Sequence, residues 1–144
     1  MKLTTSSRYG LRAMVDLTAN YCGAPVSLAE IARRQHISLN YLEQAFAALR
    51  KAGLVRSVKG AQGGYAPACD PKSVTVAAVL RVLEGDLSII DDTPVFCGDD
   101  PVKQCIRMTV WDAIDKRISD RVESVTLCDL TTEYRRMRGN AQTE

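Results

Sequence analysis

The run Ser38-Leu39-Asn40-Tyr41-Leu42-Glu43-Gln44-Ala45-Phe46-Ala47-Ala48-Leu49-Arg50-Lys51-Ala52-Gly53 constrains the chain most tightly. At helical period Leu42, Phe46 and Leu49 share one side, while Asn40, Glu43, Gln44, Ala47 and Lys51 share another. One face packs and the other stays open and polar. Ser38 is a good N-cap, and Gly53 after Arg50-Lys51 is a stop signal with cations at the carbonyl end. The result is a bounded helix of about four turns. An ordinary amphipathic surface helix has the same pattern, so its neighbours decide its role.

Upstream, Leu11, Met14, Val15, Leu17 and Ala19 recur at helical spacing between Ser6 and Tyr21, with Arg8 and Arg12 one turn apart. That helix is expected to end before Cys22-Gly23-Ala24-Pro25. Ser27-Leu28-Ala29-Glu30 is a capping box opening a short helix to about Arg34, and Gln35-His36-Ile37 is a tight connection into the 38–53 helix. A short capped helix followed by an amphipathic one with an open polar face is a helix-turn-helix. In that motif the second helix enters the DNA major groove, its N-terminal side chains against the bases. Amides and a carboxylate early in the helix, with bases late, suit base edges followed by phosphates. His36, the only histidine, reads as a solvated or hydrogen-bonded turn residue rather than a ligand.

Leu54 to Val58 alternates like a half-buried strand, and Tyr65 to Ala68 is its return partner. Between them Lys59-Gly60-Ala61-Gln62-Gly63-Gly64 is a glycine-rich tip with a base at its root, the wing of a winged helix. A nucleotide-phosphate loop is disfavoured, since no Walker pattern is present and no long helix follows directly. Thr75 caps a helix striped with Val76, Val79, Leu80 and Leu83 and stopped by Gly85. From Gly85 to about Asp100 helical period lapses, and Asp86, Asp91, Asp92, Asp99 and Asp100 stand with no base among them. A loop of that length in a compact domain, when ordered, is usually functional.

Asp100-Pro101 then starts the longest helix, in which Val102, Ile106, Val110, Ile114, Ile118 and Val122 recur every four residues, reinforced by Ala113. A stripe that long has little of its own small domain to cover it. Pairing with a second copy across a two-fold axis is expected, with packing back onto the same chain as the alternative. Thr126-Leu127-Cys128-Asp129 caps a last helix with Leu127, Leu130 and Tyr134 facing inward. The expected fold is mainly α: a winged helix-turn-helix over 1–84 with a two-stranded wing, a sensor loop over 85–101, a long dimerisation helix and C-terminal helix over 102–138, and a disordered tail over 139–144.

Net charge is only +2, but the first 60 residues hold nine bases against three acids, a net of +6, leaving −4 for the rest. Such asymmetry points to a polyanion partner for the first part alone. Arg50, Lys51, Arg56 and Lys59 are expected to meet phosphates. No long apolar run or signal peptide is visible, so a soluble, cytoplasmic protein with no membrane partner is expected. Five cysteines without a secretion signal argue against structural disulfides. Cys22, Cys69 and Cys128, each among small or apolar neighbours, read as packed thiols. No nucleophile, base and orienter set is present. Cys97 or Cys105 with His36 is the sole candidate, far apart in sequence, so an enzyme is not expected.

The segments Met1 to Thr5, Arg8 to Met14, Ser38 to Gln44, Leu49 to Val55, Val58-Lys59-Gly60 and Gly63-Gly64-Tyr65 closely resemble the Rrf2 family. These are bacterial winged helix-turn-helix transcription regulators, and the similarity extends over about residues 1–130. The family includes an iron–sulfur cluster regulator, a nitric-oxide sensor and a cysteine-metabolism regulator. The resemblance implies a homodimer joined by the long helix. It places the recognition helix in the major groove and the wing in the minor groove of a palindromic double-stranded DNA operator, and suggests a repressor. It implies that Ser38, Asn40, Tyr41, Glu43 and Gln44 meet bases or phosphates. At the wing Lys59, beside Gly60, stands where the iron–sulfur regulator has arginine; lysine keeps the charge but loses the planar fork.

Many members of the family bind an iron–sulfur cluster through three cysteines between the fourth helix and the long helix, and the resemblance implies such a site here. Cys105, six residues before Trp111, matches the last of these, and Cys97 matches either earlier one with a gap. The third cysteine is missing, and Met108 stands where some members have histidine. Cys105 is expected in the first turn of its helix, where the positive helix end favours a thiolate, with Asp99 and Asp100 opposing. Three controls stay open. One is a cluster on Cys97 and Cys105, completed by a carboxylate, His36 or the other subunit. Another is a reversible disulfide or single oxidation of these thiols. The third is inert thiols with control by a protein partner, for instance through the acidic loop.

Overall fold

The computed structural model describes residues 3–88 and 100–141. In order these form α1 (Thr5–Asn20), α2 (Leu28–Gln35), α3 (Leu39–Lys51), β1 (Val55–Val58), β2 (Gly64–Pro67), α4 (Val76–Glu84), α5 (Pro101–Ile106), a π-helical turn (Arg107–Trp111), α6 (Asp112–Ser124) and α7 (Leu127–Ala141). The expected caps form: Ser27, Ser38 and Thr75 each accept from the amide three residues on, and Asp100 from that of Val102. At α7 the Asp129 carboxylate accepts from the Thr126 amide at 2.9 Å, while the Thr126 hydroxyl accepts from the Asp129 amide at 3.1 Å.

Phe46, Leu42 and Leu49 of α3 are buried with Met14 and Leu17 of α1, Ile31 of α2, Val55 of β1 and Val79 of α4 in one core. Phe46 meets Tyr65 edge-on at 5.1 Å, which brings the wing strands onto α3. β1 and β2 pair antiparallel, with Val55 opposite Pro67 and Val58 opposite Gly64. Val26 extends this pair: its amide donates to the Tyr65 carbonyl at 2.9 Å, and the Tyr65 amide donates back at 2.8 Å. A Cβ on Gly64 would lie 2.4 Å from the Val26 carbonyl oxygen, so that approach requires glycine.

Asp16 is buried in the C-terminal half of α1 and was not expected as a structural anchor. Its carboxylate accepts from Arg34 Nη2 at 2.7 Å, Arg34 Nε at 3.0 Å and Gln35 Nε2 at 2.9 Å, and so bolts α2 to α1. At the far end of α1, Glu84 of α4 accepts from the Thr4 amide at 2.6 Å and from the Ser7 hydroxyl. Hydrogen bonds from Ser7 and then Thr4 hold this carboxyl below the usual glutamate range.

Residues 101–124 form one helical rod. It is joined to the domain at its C-terminal end, where the Val76 amide donates to the Val125 carbonyl and the Leu127 amide to the Val74 carbonyl. Ile118 and Val122 of α6 are half-buried there, and Arg81 pairs with Glu123. Every residue from 101 to 114 is exposed; Val102 keeps 66% of its surface, and Val110 and Ile114 keep 39% each. Among the described residues, none covers the apolar stripe of this section. The regular helix expected here is interrupted by the π-helical turn. At 3.6 residues per turn, apolar positions repeating every four residues drift around an ideal α-helix, and one wider turn offsets part of that drift.

Other expectations need correction. Cys105 is the fifth residue of its helix and lies past the first turn, beyond the reach of the helix-end effect. Cys22 and Cys69 are exposed and Cys128 is half-buried, so the first two are not packed thiols. Their small neighbours belong to surface turns rather than to the core. Helix α7 continues through Gly139 to Ala141, with Arg138 in its last turn favouring the carbonyl end, so the expected tail is helical at residues 139–141. Residues 142–144, and most of the expected sensor loop including Cys97, lie outside the described residues.

Asp16→Ala should destabilise the fold by about 2–3 kcal/mol in urea denaturation. That is below the usual cost of breaking a buried pair, because Arg34 keeps part of its surface in water.

Candidate nucleic-acid interface

Helix α3 buries Leu42, Ala45, Phe46 and Leu49 and leaves Leu39, Asn40, Glu43, Gln44, Ala47, Arg50 and Lys51 exposed. At about 100° per residue these exposed positions form one continuous arc, with Leu39 and Arg50 at one edge, Gln44 at the other, and Glu43, Ala47 and Asn40 between. Ser38 opens the helix, its hydroxyl oxygen accepting from the Tyr41 amide at 3.2 Å. That leaves the hydroxyl proton to donate outward.

Tyr41 does not share the open arc. It lies on the far side of the helix, half-buried, with its ring edge-on to Tyr9 at 5.8 Å and its hydroxyl buried without a partner. Arg12 lies over the Tyr9 ring at 5.5 Å, and its Nη2 donates to the Gln35 carbonyl at 2.6 Å. Together these contacts pin α1 to the turn before α3. His36 ends α2 in the left-handed conformation, φ +55°, and is exposed. Its role is to turn the chain between the two helices.

The cations expected at phosphates are all exposed, but they are held differently. Arg50 Nη1 lies 3.4 Å from the Ser57 hydroxyl, which ties the end of α3 to β1. Arg56 Nη2 donates to the Tyr21 hydroxyl at 3.1 Å, which fixes that guanidinium against the body of the domain. Lys51 ends α3, and Lys59 stands at the root of the wing beside Gly60, whose φ of +120° makes the turn possible. The structure thus gathers Ser38, Asn40, Glu43, Gln44, Arg50 and Lys51 on α3 with Arg56, Lys59 and Gly60 on the wing, and turns Tyr41 inward. Sequence reasoning missed the anchors beneath this surface, Val26 and Asp16. A lone carboxylate among the apolar positions of the first helix was the available signal for Asp16.

The segment expected to act as a sensor is more sparsely furnished. Cys105 is exposed on α5, and Cys97 lies outside the described residues. Among the described residues no three His, Cys, Asp or Glu groups converge as a metal site. Cys97 and Cys105 are the only cysteines between α4 and α7; Cys22 follows α1, Cys69 follows β2, and Cys128 lies in α7. An all-cysteine iron–sulfur cluster takes four thiolates, so the thiols of one sensor segment do not fit such a cluster by themselves.

Residues 3–133 match the Rrf2 family model, described as iron-dependent transcriptional regulators. The chain belongs to the Rrf2 family. It is 40% identical over 135 residues to the HTH-type transcriptional regulator IscR of Vibrio parahaemolyticus, covering 92% of this chain and 79% of that protein. The solved structure of CymR, the global cysteine regulator of B. subtilis, matches with a TM-score of 0.81 at 36% identity, over 92% of this chain and 98% of the other. IscR of T. potens matches with a TM-score of 0.74 at 41% identity, over 93% and 88%. This Rrf2 protein is therefore a transcriptional regulator and not an enzyme. The mainly helical winged fold with a long C-terminal rod is the one its sequence led us to expect. No helix among the described residues is long and apolar enough to cross a membrane.

Lys59→Ala should weaken binding to all DNA duplexes alike and lower the slope of log affinity against log salt by about one, measured by fluorescence anisotropy across a salt series.

Proposed function

We propose that this Rrf2 regulator is a homodimer that binds a palindromic double-stranded operator and represses transcription, under control of the thiols Cys97 and Cys105. The observation that carries the DNA-reading part is the open arc of α3. Its amides and carboxylate, Asn40, Gln44 and Glu43, are bare near the N-terminus, where a recognition helix meets base edges. Arg50 and Lys51 follow at the phosphate end, and the wing carries Lys59 beside them. The bare stripe of the rod supports the dimer. The rod is about 36 Å long, and the exposed apolar positions of residues 101–114 are what an interface with a second copy would bury. Two recognition helices related by a two-fold axis call for a palindrome. An operator-binding surface and a dimer rod suffice to occlude a promoter, which supports repression.

Control by thiol oxidation is favoured over a cluster because the segment offers two cysteines, enough for one disulfide, and the cysteine regulator among the structural neighbours supports sulfur metabolism as the regulated process. A peroxide would join the two thiols as one disulfide; the peroxide is reduced to two waters, taking the two thiol protons and two electrons. A cluster completed across the dimer, in keeping with the family's iron-dependent description, is the alternative. Inert thiols with control by a protein partner are the remaining one.

Gln44→Ala should cost about 1–3 kcal/mol at an operator selected from a random duplex pool and flatten discrimination at one base pair. Equal loss on nonspecific duplex would remove Gln44 as a base reader. For the sensor, protein purified without oxygen should be colourless and iron-free. Peroxide should then lower its mass by about 2 Da, as loss of two thiol protons requires, and change operator affinity, with neither effect in Cys105→Ala. Stoichiometric iron and sulfide lost in both Cys97→Ala and Cys105→Ala would replace thiol control by a cluster. A peroxide-insensitive, iron-free protein would move control to a partner.

A further inference from the structure

Among the described residues 3–88, Leu39 is the one large hydrophobic side chain left exposed, at 42% of its surface; the others stand on the rod and α7. It is the first residue of α3 and lies on the open arc beside Glu43 and Arg50, between Ser38 and Asn40. Nothing in the fold requires leucine there. The hydrophobic contact that fixes a chain's entry into a helix pairs the residue before the cap with one a turn inside. Here those positions are Ile37 and Leu42, and both are buried. The first helical position favours proline or an acid, not an aliphatic residue.

Resting on the DNA-reading role of α3, we infer that Leu39 recognises the 5-methyl group of a thymine in the operator's major groove. The residues opening a recognition helix are those that reach base edges. The edges in that groove carry donors, acceptors and a single apolar group, the thymine methyl. An apolar side chain in that first turn is matched by that methyl and by no other feature of the groove. Asn40 and Gln44 on the same arc would read hydrogen-bonding edges, so Leu39 adds a different kind of discrimination, thymine against cytosine and against uracil.

The test uses the full-length dimer and a duplex selected from a random pool, with each thymine replaced in turn by deoxyuridine, which removes only the methyl. At one symmetry-related position, wild type should lose about fourfold affinity per methyl, the worth of one buried methyl group. Leu39→Ala, which exposes no core, should keep its melting temperature and dimeric state and bind the thymine and uracil duplexes alike. Three results would overturn the inference: uracil tolerated by wild type at every position, uracil sensitivity persisting unchanged in Leu39→Ala, or loss of the dimer in that variant. Failure to select any duplex above the nonspecific level is a separate result, and would remove the DNA-reading role of α3 together with this inference.

Discussion

Burial of Phe46, flanked by Leu42 and Leu49, is what holds the open face of α3 outward. Each such side chain contributes about 1.5–3 kcal/mol when taken from water into a packed core, and these three share one side of the helix. Rotating α3 to present other residues would expose them, so the polar arc is fixed by its apolar opposite. The same residues hold the wing, since Phe46 packs edge-on against Tyr65, whose backbone pairs with Val26. Helix α3 and the wing thus share one core, which gives the proposed DNA-reading surface the rigidity it needs.

A second layer of polar contacts sets how α3 is carried. Asp16 with Arg34 and Gln35, and Arg12 with the Gln35 carbonyl, join α1 to α2 and to the turn at His36. These bonds are directional, so they fix an angle where apolar packing tolerates sliding. The rod is built on the opposite principle. Its C-terminal end is stitched to α4 through Val74, Val76 and Leu127, while the apolar side chains of residues 101–114 are exposed among the described residues. Exposed apolar side chains over that length are what the proposed dimer would cover, and the thiol Cys105 stands among them.

Much of this architecture was legible in the chain. Local signals govern local structure: Ser27, Ser38 and Thr75 cap where their hydroxyls satisfy the first amides of a helix, and Gly60 turns where the backbone needs positive φ. The alternation of buried and exposed residues on α3 follows from helical period alone. Long-range contacts leave no such trace. Val26, an isolated apolar residue before a cap, becomes a third strand position only because Gly64 lets the wing approach it. Tyr41, polar and next to the arc in sequence, turns inward because Tyr9 of another helix waits there. Cys22 and Cys69 looked packed from their neighbours, yet those neighbours form turns that cross the surface.

By itself, then, the sequence determined the elements, their caps, the polar arc of α3, the charged first half and the apolar rod, because each depends on residues a few positions apart. Only the tertiary structure decided that Asp16 would be an anchor, that Tyr41 would pack against Tyr9, that Val26 would join the wing strands, and that the apolar side chains of the rod's first half would stay exposed. Those depend on which surfaces meet across tens of residues, and the free energy of such contacts lies in the fit between partners rather than in either one alone.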